Sequence, residues 1–194
     1  MTPTGARSRR GRPWGRSTVA LLLVATGCGS AGSSTPLPTL PTSALAGYSV
    51  RTEGLDAETI ASEVADPSAL VPLLDGMRAG TERRFSSRGE PEQQVVARTV
   101  RFGSAAEAEG FVSWLDGHPD DVLGPAPHGE SVSVGGSIAY SHDPSGCCPG
   151  KEMVWWLVAW TRETDAFVLM VGGTRVRPGV VDSLAASLDD AGAP

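Results

Sequence analysis

Apolar residues recur at Leu55, Ile60, Val64, Leu70, Leu73, Leu74 and Met77, with Asp66-Pro67 between the third and fourth of them. The rhythm predicts a helix over residues 55–78 broken at the Asp-Pro pair, because proline removes a backbone donor and disfavours helical backbone in the residue before it. Asp66 or Ser68 would cap the second piece. Residues 93–102, QQVVARTVRF, put Val96, Arg98, Val100 and Phe102 on one parity and Val95, Ala97, Thr99 and Arg101 on the other, which predicts a strand. Ser104-Ala105-Ala106-Glu107 has the spacing of a capping box, in which Ser104 caps the helix and Glu107 reaches back to it. The helix that follows carries Ala108, Phe111, Val112 and Leu115 on one stripe, and Gly117 and Pro119 end it.

Residues 116–130 are rich in Gly, Pro, His and acids and predict a loop. Residues 131–140, SVSVGGSIAY, alternate as a strand with a bulge or bend at Gly135-Gly136. Two apolar runs, 152–162 and 166–172, are joined by Glu163-Thr164-Asp165 and predict a β-hairpin. The last run, 178–188, opens on Pro178 and repeats Val180, Val181, Leu184, Ala185 and Leu188, an amphipathic helix expected to pack on that hairpin. The order helices, strand, helix, three strands, helix predicts an α+β fold. It is a single domain with an antiparallel or mixed sheet and helices packed mainly on one face.

The chain begins differently. Its first 16 residues hold five arginines and no acid, and the apolar run STVALLLVAT leads to Gly27-Cys28. A basic segment, a short apolar segment and a small residue before a cut form a secretory signal, and the apolar part is about half the ~20 residues that span a bilayer. Ala25-Thr26-Gly27-Cys28 resembles the lipobox of bacterial lipoproteins, departing from it at Ala25, where Leu, Val or Ile is usual. The resemblance implies covalent lipid on Cys28, of the palmitate class, and an anchor on the extracytoplasmic face of the cell membrane. Ser8-Arg9-Arg10 hints at twin-arginine export, although Arg12-Pro13 follows where that signal prefers bulky apolar residues. The expected organisation is 1–27 signal, 28–44 lipidated cysteine and flexible Gly/Ser/Pro tether, and 45–194 folded domain.

Removal of the signal changes the charge. All 22 acids lie beyond it and five of the 16 basic residues leave with it, so 11 basic residues face 22 acids and the net charge is −11 rather than −6. So acidic a domain repels phosphate backbones, which argues against nucleic acid as a partner.

With Cys28 assigned to lipid, Cys147 and Cys148 remain, adjacent in PSGCCPGK. In an oxidising compartment they are expected to close on each other as a vicinal disulfide that shapes the loop. The alternative is an envelope metal-handling or redox site built from His142, Cys147 and Cys148, with His118 or His128 nearby. Soft donors suit Zn or Cu(I), but no Cys-x-x-Cys or His-x-x-x-His spacing is present. In the hairpin strand, Trp156 and Trp160 share a face opposite Trp155. That face is read as core, with a ligand platform for a glycan or lipid as the alternative. Ser141-His142-Asp143 is not a triad, since neighbours in a strand point to opposite sides. No nucleophile elbow, zinc-protease helix, phosphate loop or calcium loop occurs in the sequence.

Thr99-Val100-Arg101-Phe102, then Ala105, Ala106, Ala108 and Phe111, and later the hairpin and PGVVDSLAASL, resemble actinobacterial cell-envelope lipoproteins. The likeness is to the LpqN type, with an α+β fold likened to the PsbP/Mog1 class. It implies a non-enzymatic binding or scaffolding module with no cofactor beyond the lipid on Cys28. Its partners would be the membrane, through that lipid, and an envelope protein, glycan or lipid ligand.

Overall fold

A computed structural model of the chain describes residues 35–87, 93–124, 137–143, 153–174 and 176–193. Among them, six strands form one sheet in the order β1-β2-β3-β6-β5-β4, every neighbouring pair antiparallel. The strands are β1 (Ser49–Gly54), β2 (Met77–Ser86), β3 (Gln93–Phe102), β4 (Ser137–Asp143), β5 (Met153–Arg162) and β6 (Asp165–Gly173). The helices are α1 (Ala57–Ser62), α2 (Val71–Leu74), α3 (Ala105–Gly117), α4 (Pro119–Leu123) and α5 (Pro178–Ala191). The fold is α+β, as the sequence predicts.

The parity of β3 organises the two faces. Val100 and Phe102 pack with Leu157, Ala159, Ala166 and Val168 beneath α1, α2 and α3. Val95 and Ala97 pack with Trp156, Val158, Phe167, Leu169 and Val171 beneath Val181, Leu184, Ala185 and Leu188 of α5. Among the described residues, α1 to α4 share one face, and α5 lies on the other, against the β5–β6 hairpin.

The segment before β1 joins α5 there. Leu40 is fully buried in that core. Arg83 donates to the Leu40 carbonyl at 2.8 Å, Thr99 to the Pro38 carbonyl at 2.8 Å and Arg101 to the Thr35 carbonyl at 2.7 Å. Three side chains from two strands thus hold an otherwise irregular strand of chain whose own carbonyls lack a ladder partner. The compact unit starts at Thr35, so the folded part begins about ten residues before the boundary expected at residue 45.

The region 55–78 departs from the expected broken helix. All seven apolar residues named there do reach the core, but through two one-turn helices, and β2 starts at Met77. Asp56 caps α1 by accepting from the Thr59 amide at 2.8 Å, and Asp66 accepts from the Ser68 amide at 3.0 Å. Each closes a turn rather than opening a long helix. Helix α3 starts as predicted, with the Glu107 amide on the Ser104 hydroxyl at 3.3 Å. The Glu107 carboxylate lies instead beside Gly76 and Gly103, where a side chain on Gly76 would collide with it at 2.5 Å. The loop expected over 116–130 contains α4, tied to the α1–α2 connection by the Ala65 amide on the Asp121 carbonyl at 3.0 Å.

The hairpin closes with Arg162 paired to Asp165, leaving Glu163 and Thr164 as a two-residue turn. Glu163 takes a φ of +53°, the conformation for which such turns favour glycine.

Candidate functional site

Among the described residues, the α1–α4 face is not covered along its whole length. Beyond the helices, toward the ends of β2, β3 and β5, a cleft of about 240 Å³ opens over the sheet. Its floor is Val96 and Met170, its walls are Val122 and Leu123 of α4, and Trp155 closes one side. A smaller hollow of about 50 Å³ continues from it beneath α1 and α3, lined by Ile60, Val64, Leu70, Phe111, Leu115 and Val168. Arg98, Glu63, Val122 and Met170 border both spaces.

Trp155 owes its position to its neighbour across the ladder. Gly172 pairs with Trp155 on one side and Gln94 on the other. A methyl group on Gly172 would meet three atoms of the six-membered ring of Trp155, each at 2.6 Å. Equal approach to three adjacent ring atoms means that the indole lies face-down over the glycine. An alanine there would lift it from the sheet. Trp155 is also among the residues that line the cleft.

The other side of the cleft is ionic. Glu82 and Arg98 face each other across β2 and β3 and are 3% and 7% exposed. Arg98 donates its Nε to Glu82 Oε2 at 2.7 Å and also pairs with Glu63, the residue that follows α1 as its C-cap. Arg84 bonds Glu82 through Nε and reaches Glu63 Oε1 at 3.0 Å. Burial alone would raise the Glu82 carboxyl, but the Arg84 hydrogen bond and the Arg98 charge outweigh it and hold the group below the usual carboxylate range. The Glu82 bond in turn raises Arg84. Two cations and two anions cancel, and the side chains of Arg84 and Glu63 remain 47% and 33% exposed at the rim.

The residues singled out from the sequence lie elsewhere. Cys28, Cys147, Cys148 and His128 are outside the described residues. His142 sits on β4 opposite Val154. His118 stacks on Trp114 with ring centroids 4.7 Å apart, and its Nδ1 lies 2.8 Å from the Trp114 carbonyl. Among the described residues no group of three or more His, Cys, Asp or Glu is placed to hold a metal ion. No helix among them is long and apolar enough to cross a membrane.

Trp156 and Trp160 lie on the α5 face. Trp156 is 6% exposed. Trp160 stacks on Phe167 at 5.3 Å and donates its indole N–H to Asp189 of α5 at 3.0 Å. Asp189 also accepts from Arg162 at 2.5 Å. The helix covers the face that the sequence offered as a possible platform, and Trp155, on the other face, is the indole that borders open space. Sequence parity separated the two faces but did not say which one α5 would cover.

No family model matches the chain, and no curated protein matches its sequence. Among solved structures it is similar to the extracellular domain of PknH from Mycobacterium tuberculosis. Identity is 12%, the match covers 74% of this chain and 82% of that one, and the TM-score is 0.41. At that level of similarity nothing of that protein's ligand or activity carries over.

The lining residues named for the cleft and its inner hollow include no Ser, Thr, Cys, His or Lys. Glu63, which borders the cleft, and Glu82 beside it are both engaged by arginines.

Proposed function

We propose that the chain is a non-enzymatic binding module of the cell envelope, carried on the extracytoplasmic face of the membrane by lipid on Cys28, with its ligand in the cleft over Trp155. The carrying observation is the indole laid flat on Gly172 and lining the cleft. A ring held in this way is a preorganised apolar surface, and binding to it orders little that was loose before. An apolar floor with a few polar groups at one side is the usual make-up of a small-molecule site.

Two experiments test the two halves. Native mass spectrometry of the full chain, released from envelopes in mild detergent, should show a bound molecule that a Trp155→Ala chain lacks. Equal retention by the variant would move the ligand out of this cleft. For the anchor, mass analysis of the amino-terminal peptide should find diacylglycerol on Cys28, and Cys28→Ala should release the protein from the membrane fraction. An unmodified cysteine in the membrane-bound protein would end that part of the reading.

A further inference from the structure

The cleft also carries information on what it binds, granted that it is a binding site. We infer that its ligand is a neutral sugar bearing a small acyl substituent, an acetamido sugar, stacked on Trp155 with the acyl methyl in the inner hollow.

Three observations converge on that chemistry. The indole presents a flat apolar face beside Gln94, Arg84 and Glu63. A pyranose has the matching shape, a flat C–H face inside a rim of hydroxyls that both donate and accept. Gln94 supplies an amide of both kinds, Arg84 donors and Glu63 acceptors.

Charge narrows the choice. The four ionic groups beside the cleft, Glu63, Glu82, Arg84 and Arg98, are paired among themselves and sum to zero. With no net charge, the cluster gives an ionic ligand of either sign no preference over a neutral one. The hydroxyls of a neutral polyol bridge donors and acceptors that lie side by side.

Volume limits what the inner hollow itself can take. The inner hollow offers about 50 Å³. At roughly 10–15 Å³ for each water-sized group, that is room for about three to five such groups. An acetyl group has three non-hydrogen atoms and fits, whereas a lipid acyl chain of a dozen or more carbons has no depth to enter. The hollow is bordered by Ile60, Val64, Phe111 and Val168, so a methyl group is the part of the substituent that belongs there. The polar end would stay near Arg98 and Glu63 at the junction of the two spaces.

The test is titration of the full chain with di-N-acetylchitobiose, cellobiose and palmitate, followed by tryptophan fluorescence and calorimetry. Chitobiose should bind, and Trp155→Ala should weaken it about tenfold or more, the scale of one lost aromatic stack. Cellobiose, which has the rings without the acetamido groups, should bind several-fold more weakly than chitobiose. Val64→Phe fills the inner hollow while leaving Trp155 in place, so it should erase the preference for chitobiose over cellobiose. A polymeric source is distinguished from a free sugar by adding longer chitin oligomers: affinity that rises with length marks a glycan chain, and constant affinity marks a free mono- or disaccharide. Equal binding of chitobiose and cellobiose, or a preference that survives Val64→Phe, overturns the inference. Trp155-dependent binding of palmitate without either sugar overturns it too, while leaving the cleft a binding site. If none of the probes binds although native mass spectrometry shows a Trp155-dependent ligand, the sugar assignment alone falls. If no such ligand exists either, the cleft reading falls with it.

Discussion

Replacing Glu82 with glutamine keeps the shape of the side chain and removes one charge from the four-membered cluster. Arg98, 7% exposed, would then share Glu63 with Arg84, leaving one net positive charge at a nearly buried site. Breaking a buried pair by removing one partner costs about 3–5 kcal/mol. The low end applies here, about 3 kcal/mol, because Glu63 still reaches Arg98 and water still reaches Arg84. For a chain of this size that is a fall in Tm of roughly 6–12 °C. The double variant Glu82→Leu/Arg98→Met replaces both buried charges with aliphatic groups and should lie within about 1 kcal/mol of wild type, since such swaps are often neutral. Strong coupling between the two sites is the signature expected of direct partners.

Acid gives an independent check. The folded Glu82 carboxyl titrates below its unfolded value of about 4.3, so the stability that it contributes is fully present above that pH and is lost as the pH falls through the folded value. Urea unfolding followed by tryptophan fluorescence, at neutral pH and near pH 3.5, should therefore show the gap between wild type and the double variant moving in favour of the double variant in acid. A loss under about 1 kcal/mol for Glu82→Gln at neutral pH would refute the reasoning, as would strictly additive single and double variants.

Further outcomes follow from other parts of the fold. Leu40→Ala should cost about 2–5 kcal/mol in urea unfolding, as for any fully buried leucine, whereas a leucine in a flexible tether would cost nothing. Glu163→Gly should stabilise the protein by about 0.5–1 kcal/mol by relieving its positive φ, measured as a rise in Tm. Gly172→Ala should lift Trp155 from the sheet, raising its accessibility to iodide quenching and costing about 1–3 kcal/mol, the range for inserting a methyl group into a packed site. Intact mass with and without reductant should differ by two hydrogens with no dimer if Cys147 and Cys148 close on each other. Two free thiols in the oxidised protein would remove that pairing.

The parts of the fold visible in the sequence are those where burial and period agree. Strand β3, the β5–β6 hairpin, α3 and α5 each carry apolar residues at the spacing of their element, and each forms about where that spacing puts it. Strands β1 and β2 were hidden for a physical reason. Every residue of β1 is exposed, as suits an edge strand that carries Arg51 and Glu53. Strand β2 turns Glu82 inward at a position where an apolar residue would be expected, because the compensating charge comes from Arg98, 16 residues away. Alternation cannot report a buried carboxylate whose partner is on another strand. The same cause hides the cleft. Its ionic side is assembled from α1, β2 and β3, and its aromatic side depends on the absence of a side chain at Gly172.

Trp155 and Trp156 show how the two faces divide the work. They are consecutive, so strand parity sends them to opposite sides of one sheet. On Trp156's side, α5 and the segment from Thr35 to Leu45 bring an apolar stripe and three carbonyls that arginine and threonine side chains hold down, and little of the sheet remains open. On Trp155's side, the helices among the described residues are α1 to α4, and Val122 and Leu123 of α4 line the cleft together with Trp155. A side chain at Gly172 would push Trp155 away from the sheet. Among the described residues, the indole lies flat on the Gly172 backbone and lines the cleft. On this geometry the proposed ligand rests on Trp155 rather than on the pair Trp156 and Trp160, which pack on the α5 face.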